Sequence, residues 1–124
     1  MQVLVVDAAN VVGARPDGWW KDRAGAARRL HEALMTADLP HDEVVLVLEG
    51  AAKGGHRAGR DGHVRTVHAP RDGDATLVEE VRAAADRGAR VTLVSADRFL
   101  RSRAEGAGAL CLGPTWLWDQ LGAG

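Results

Sequence analysis

Gln2-Val3-Leu4-Val5-Val6-Asp7-Ala8-Ala9-Asn10-Val11-Val12-Gly13 joins a short Val-rich run to an acid, two small residues and an amide. The run is apolar without alternation, as in a strand buried on both faces. Asp7 stands where that strand emerges. In an open parallel sheet, ligands bind outside the carboxyl ends of the strands. A carboxylate there also serves to cap a turn or the next helix, so its meaning depends on whether the arrangement recurs.

It does recur. Val44-Val45-Leu46-Val47-Leu48 is a second continuous apolar run, and Glu49 follows it. Val91-Thr92-Leu93-Val94-Ser95 is another, followed by Ala96-Asp97. Val64-Arg65-Thr66-Val67-His68 alternates and reads as a more edge-like strand leading to Asp72-Gly73-Asp74. Ala109-Leu110-Cys111-Leu112 is a short fifth strand.

Helical patterns fill the intervals. Asp22 is placed to cap a helix over Arg23–Ala37, with Ala27, Leu30 and Leu34 on its apolar face and Arg28, Arg29, His31 and Glu32 mostly off it. A second starts near Asp74, carries Leu77, Val78, Val81, Ala84 and Ala85 inward, and stops at Gly88. A short helix holds Phe99, Leu100 and Arg103, and Pro114 starts a last one with Trp116, Leu117, Trp118 and Leu121. Strands buried on both faces and alternating with helices predict an α/β fold with a mostly parallel sheet of about five strands and helices on both faces. The segment Gly50–His63, rich in glycine and cations, reads as a flexible loop.

A chain of 124 residues with 46% hydrophobic content is read as one domain, residues 1–124, with one real core. A net charge of −1 provides no global basic field, so a nucleic-acid partner has to be met by a local patch. The single cysteine, Cys111, excludes an internal disulfide and a thiolate zinc site. No apolar run is long enough to span a bilayer and no signal segment is read ahead of the first strand, so the expectation is a cytoplasmic protein with no membrane partner.

Asp7, Glu49, Asp74 and Asp97 thus belong to one edge of the sheet if the strands are parallel. Asp74 and Asp97 also suit helix N-caps. Carboxylates converging in a crevice repel each other, and a bound cation relieves the repulsion. With one cysteine and no paired histidines, all-oxygen ligation suits Mg²⁺ or Mn²⁺ rather than zinc. The chemistry this suggests is metal-assisted attack of water on a phosphodiester. Asp72 is either a second ligand or a bystander. Lys53, His56, Arg57, Arg60 and Arg65, in or just after the Gly-rich loop beside Glu49, suit a polyanionic substrate, or simply a solvated loop. Trp19-Trp20 is suited to stacking on unpaired bases or to packing on the domain surface. Trp116 and Trp118 read as core or interface.

Asp7-Ala8-Ala9-Asn10-Val11-Val12-Gly13 resembles the Asp-Gly-Tyr-Asn-Val-Ile-Gly opening of NYN domains, relatives of the PIN-domain ribonucleases. The resemblance runs along most of the chain. Arg28 resembles a recurrent Arg of the bacterial NYN branch, and Val47-Leu48-Glu49 its strand ending in an acid. Gly73-Asp74-Ala75-Thr76-Leu77 resembles its Ala-Asp-x-x-Ile helix start. Leu93-Val94-Ser95-Ala96-Asp97, with the later Gly106-Ala107-Gly108-Ala109, resembles its Thr-Ser-Asp segment and following Gly-Ala. The resemblance implies a PIN-like three-layer sandwich and divalent-metal-dependent ribonuclease activity. It implies Asp7, Asp74 and Asp97 as metal-site acids, Glu49 as a fourth, Asn10 as a polar partner, and Arg28 and Ser95 on the substrate side. Ala8 and Ala9 depart from the usual Gly and aromatic residue, and Ala8 would strain a left-handed backbone.

The leading expectation is an endoribonuclease using Mg²⁺ or Mn²⁺, with catalytic Asp7, Asn10, Glu49, Asp74 and Asp97 and substrate contacts from Arg28, Lys53, His56, Arg57, Arg60 and Ser95. The alternatives are a non-catalytic RNA-binding or ribosome-associated module and a metal-dependent nucleotide phosphohydrolase; no P-loop Gly-Lys-Ser/Thr supports the last. Pairing of two copies through Trp116-Leu117-Trp118 is a further expectation.

Overall fold

The computed structural model describes residues 1–122. The apolar runs form β1 (Gln2–Asp7), β2 (Glu43–Leu48), β4 (Val64–His68), β5 (Arg90–Val94) and β6 (Leu110–Leu112). The helices are α1 (Ala8–Gly13), α2 (Arg23–Thr36), α3 (Gly73–Asp86), α4 (Arg98–Gly106) and α5 (Pro114–Gln120). Asp22 caps α2 through the Gly25 N–H at 2.8 Å, and Gly88 beyond α3 has a φ of 83°, the left-handed stop that glycine permits.

Gly50–His63 is not a free loop. It contains a 3-10 turn at Gly50–Gly55 and a sixth strand, β3 (Gly59–Asp61). β3 pairs antiparallel with β4 and makes β4 an interior strand, not the edge. Three residues, the first of them Gly59 and the next after them Gly62, are too few to carry an alternation pattern, and only the pairing partner defines them as a strand.

The sheet order is β3-β4-β2-β1-β5-β6, and every pairing except β3 with β4 is parallel. The chain moves from β1 to β2 on one side, then returns past β1 to β5 on the other. Right-handed crossovers put these two sets of helices on opposite faces. Leu4, Val6, Leu46 and Leu48 pack with Ala27, Leu30, Leu34 and Leu117 on the α1/α2/α5 face. Val3, Val5, Val45 and Leu93 pack with Leu77, Val81, Leu100 and Ala104 on the α3/α4 face. Continuous hydrophobicity in β1 and β2 therefore serves both cores. The C-terminal tryptophans are used inside the chain: the Trp118 indole N–H donates to the Val11 carbonyl at 2.9 Å, Arg15 lies over its ring, and Leu117 is fully buried. That packing supplies a partner other than a second copy. No helix is long and apolar enough to cross a membrane among the described residues.

The 3-10 turn lies directly against α2. A Cβ on Gly55 would come within 2.2 Å of the Ala24 carbonyl oxygen and 3.0 Å of the Arg28 nitrogen, whereas one on Gly54 would meet only the Ala24 Cβ at 3.5 Å. Gly55→Ala is expected to lower stability by about 1–3 kcal/mol, as overpacking does. Gly54→Ala should stay within about 0.5 kcal/mol of the parent. Chemical denaturation of the two variants measures the difference, and equal midpoints would contradict the close approach.

Candidate active site at the sheet edge

β1 and β5 are neighbours whose onward connections run in opposite directions, so the crevice beyond their C-terminal ends is the topological switch point of the sheet. Asp7 ends β1 there and is 7% exposed. Its carboxylate accepts the Asn10 backbone N–H at 3.3 Å, capping α1, and the Ser95 hydroxyl at 2.9 Å. The Ser95 oxygen in turn accepts the Asp97 N–H at 3.1 Å. The Asn10 side-chain carbonyl accepts the Ala96 N–H at 2.7 Å. Two short polar segments on different strands are thus stitched across the crevice.

Ser95 is fully buried and its hydroxyl is committed to Asp7. That hydrogen bond orients the Asp7 carboxylate. Asp97 caps α4 by accepting the Leu100 N–H at 3.0 Å with one oxygen. At α3 the cap is Asp72, which accepts the Asp74 N–H at 3.0 Å. Asp74 lies inside the first turn, so its carboxylate is not consumed in capping. Glu49 accepts the Gly73 N–H at 3.0 Å and so also serves the start of α3. Gly73 leaves room for it: a Cβ there would approach Glu49 Oε1 to 3.3 Å.

Burial raises the Asp7 pKa to about 6 against the pull of its Ser95 and Asn10 hydrogen bonds, and the charges of Glu49 and Asp74 push the same way. Asp74 is also raised, first by partial burial and then by Asp97 and Asp72, with Arg103 opposing. The four acids therefore feel one another. They do not close a tight cage: among the described residues, the only set of three potential ligand atoms within 4.8 Å of one another lies elsewhere. An open set of carboxylates fits Mg²⁺ or Mn²⁺, which keep several waters and need only one or two direct carboxylates.

Beside Glu49 lies a cavity of about 520 Å³, lined by Ala8, Ala9 and Val12 of α1, Trp19, Arg23 and Ala27, and Glu49, Gly50, Ala52, Arg71 and Asp72. Trp19 is half-buried with the Arg23 guanidinium over its ring, and Trp20 stands edge-on to it and is 55% exposed. Phe99, in the first turn of α4 two residues past Asp97, is 85% exposed. Ala8 lies in helix, and no non-glycine residue has a positive φ among the described residues, so the departure at Ala8 costs no strain.

The cations behave differently from their sequence reading. Arg57 pairs with Asp61 at 2.7 Å, and His56 is 2.8 Å from the same carboxylate. Arg60 pairs with Glu43, and Arg65 with Glu43 and Glu80. Glu43 begins β2, so Arg60 and Arg65 point to the opposite edge of the sheet from the acids. Lys53 lies in the 3-10 turn after Glu49, and Arg28 is exposed on α2. The cations that do reach the acid edge are Arg23, Arg71 and Arg103. His31 is buried, contrary to its placement off the apolar face, and it stacks on His56 with ring centroids 3.6 Å apart. The histidines are therefore paired in space although not in sequence.

No protein-family model matches the sequence, and no curated protein matches it. A solved structure does. A point mutant of Rae1 (YacP) from Bacillus subtilis superposes with a TM-score of 0.69 over 98% of this chain and 76% of that chain, at 19% sequence identity. The fold is PIN-like. With helices α1, α2 and α5 on one face and α3 and α4 on the other, it is a three-layer α/β sandwich around a mostly parallel sheet.

The raised Asp7 pKa has a consequence for stability. The folded state holds the proton more tightly than the unfolded chain, so this contribution is complete below the unfolded pKa and is lost as pH rises through the folded one. Metal-free protein should therefore lose up to about 3 kcal/mol between pH 3.8 and about 6 on account of Asp7. Asp7→Asn should flatten that decline and be the more stable form at neutral pH. Urea unfolding in the presence of a chelator across this range tests it; parallel pH profiles for the two proteins would refute the assignment.

Proposed function

We propose that this protein is a divalent-metal-dependent endoribonuclease that cleaves RNA phosphodiesters at the sheet edge, acting on single-stranded segments. What supports the reading is that Asp7 is buried at the switch point with its pKa raised to about 6, partly by the charges of Glu49 and Asp74, and that Asp97 acts likewise on Asp74. Mutual repulsion of this kind is what a bound cation relieves. The likeness to Rae1 supports the fold on which the site is built, not the activity.

Asp7, Asp74 and Asp97 are the residues we assign to hold Mg²⁺ or Mn²⁺, and Glu49, whose carboxylate also serves Gly73, would support them. When bound, the ion supplies neutralisation of phosphate charge and a more acidic attacking water. Ser95 holds Asp7 in orientation. The Asn10 carbonyl is used by Ala96, which leaves its two amide N–H donors for a phosphate oxygen. Arg71 and Arg23 bring positive charge to the wall of the cavity beside Glu49, where a backbone phosphate or an unstacked base finds Trp19 and apolar surface. Exposed Trp20, after α1, and Phe99, at the start of α4, are suited to sequence-tolerant stacking on unpaired bases. A duplex would present no free base faces to them.

End-labelled RNA incubated with and without Mn²⁺ should be cut only with the metal. Asp74→Asn should reduce cleavage at least about tenfold to a hundredfold, because it removes a direct ligand where even supporting residues cost that much. Cleavage that persists in the variant would misplace the site. RNA binding without cleavage under any metal would favour the non-catalytic RNA-binding module, for which the capping duties of Glu49 and Asp97 already offer a structural role.

A second test separates binding from chemistry. Phe99→Ala, on an exposed helix face, should leave stability unchanged and weaken binding of single-stranded RNA by about 1–3 kcal/mol. Fluorescence anisotropy with a short unstructured oligonucleotide reads this directly, and unchanged affinity would remove Phe99 from the interface.

A further inference from the structure

Away from the acid edge, three side chains from different elements meet. His31 comes from the middle of α2, His56 follows the 3-10 turn, and Asp61 ends β3. Asp61 pairs in register with Val64, the first residue of β4, so it lies at the opposite end of the strands from the acids. One ring nitrogen each of His31 and His56 and a carboxylate oxygen of Asp61 all lie within 4.8 Å of one another. His56 Nε2 is 2.8 Å and His31 Nε2 3.7 Å from the same Asp61 oxygen. Two ligands on one tetrahedral zinc ion stand roughly 3.3 Å apart, given bonds of about 2 Å, and the two distances bracket that value.

A second observation points to a ligand. His31 is 6% exposed, and its Nε2 is buried with no hydrogen-bond partner although it faces a carboxylate. Buried polar nitrogens are normally satisfied. The surroundings are also those of a supported ligand set. Arg57 holds the other Asp61 oxygen at 2.7 Å, leaving one oxygen toward the histidines. The His68 ring donates to the His56 carbonyl at 2.7 Å and anchors the backbone that carries His56.

We propose that His31, His56 and Asp61 form a second metal site for a borderline ion of the Zn²⁺ class, open at its fourth position to water. Two imidazoles and one carboxylate select zinc-like ions over Mg²⁺, in contrast to the all-oxygen acid edge. The ion replaces the His56–Asp61 hydrogen bond and gives the buried His31 nitrogen its partner. An ion lies in the plane of each ligand ring, so binding turns His56 out of its 17° stack on His31. The site clips α2 to the 3-10 turn and to the edge strand β3, holding down the segment that follows Glu49.

Co²⁺ added to chelator-treated full-length protein is the probe. A one-to-one titration with the intense visible absorption of tetrahedral cobalt is expected, displaced by Zn²⁺ and untouched by excess Mg²⁺. His56→Ala and Asp61→Asn, both at partly exposed side chains, should weaken binding at least about tenfold, and Zn²⁺ should raise the melting temperature of the parent but not of these variants. Asp74→Asn should retain the spectrum. Absence of a tetrahedral spectrum in the folded parent, or its persistence in His56→Ala and Asp61→Asn, overturns the proposal. None of these readouts depends on RNA cleavage.

Discussion

A carboxylate buried at the end of the central strand is the constraint around which this molecule is assembled. Asp7 is almost wholly removed from water, yet its only side-chain donor is Ser95 and its backbone donor is the start of α1. Burying a charge with so few partners is unfavourable unless the surroundings are exact. The raised Asp7 pKa records that cost, while the adjoining hydrogen bonds fix the backbone around it: Ser95 also takes the Asp97 N–H, and Asn10 takes the Ala96 N–H. The ends of β1 and β5 are locked together by polar atoms at the one place where the sheet changes direction.

The other acids of the edge have structural duties as well. Asp97 and Asp72 cap helices, and Glu49 reaches the first N–H of α3. Helix N-termini favour negative charge, so three strand-to-helix junctions gather acids on one edge without any ligand being present. That arrangement explains why convergence of acids comes cheaply in such a fold. Burial disfavours ionisation of Asp7 and of Asp74, in each case helped by neighbouring carboxylates.

Charge of the opposite sign is partitioned by distance along the strands. Glu43, 4% exposed at the beginning of β2, gathers Arg60, Arg65 and Arg87 from three other elements. This ionic clasp closes the far end of the sheet and takes two of the cations that look available for a polyanion. Arg57 is likewise held by Asp61. The histidine–aspartate cluster and the acid edge differ in donor chemistry, nitrogen-rich against all-oxygen, so one small fold presents two environments with different metal preferences.

Hydrophobic periodicity and cap residues are local properties, and they carried most of the architecture. The continuous runs in β1, β2 and β5, the Asp22 cap, the Gly88 stop and Pro114 mark elements within a residue or two of where they lie. The placement of Asp7, Glu49, Asp74 and Asp97 beyond strand ends was equally legible, because a parallel sheet sends every strand's C-terminus to one edge. Tertiary structure alone decided what had no local signature. β3 exists only through its pairing with β4, His31 is buried only because the 3-10 turn lies on α2, and Asp72 rather than Asp74 caps α3 by the exact start of the helix. The fate of the cations was decided in the same way. An ion pair is set by distance in space, and Arg60 finds Glu43 across 17 positions of sequence that no periodicity connects.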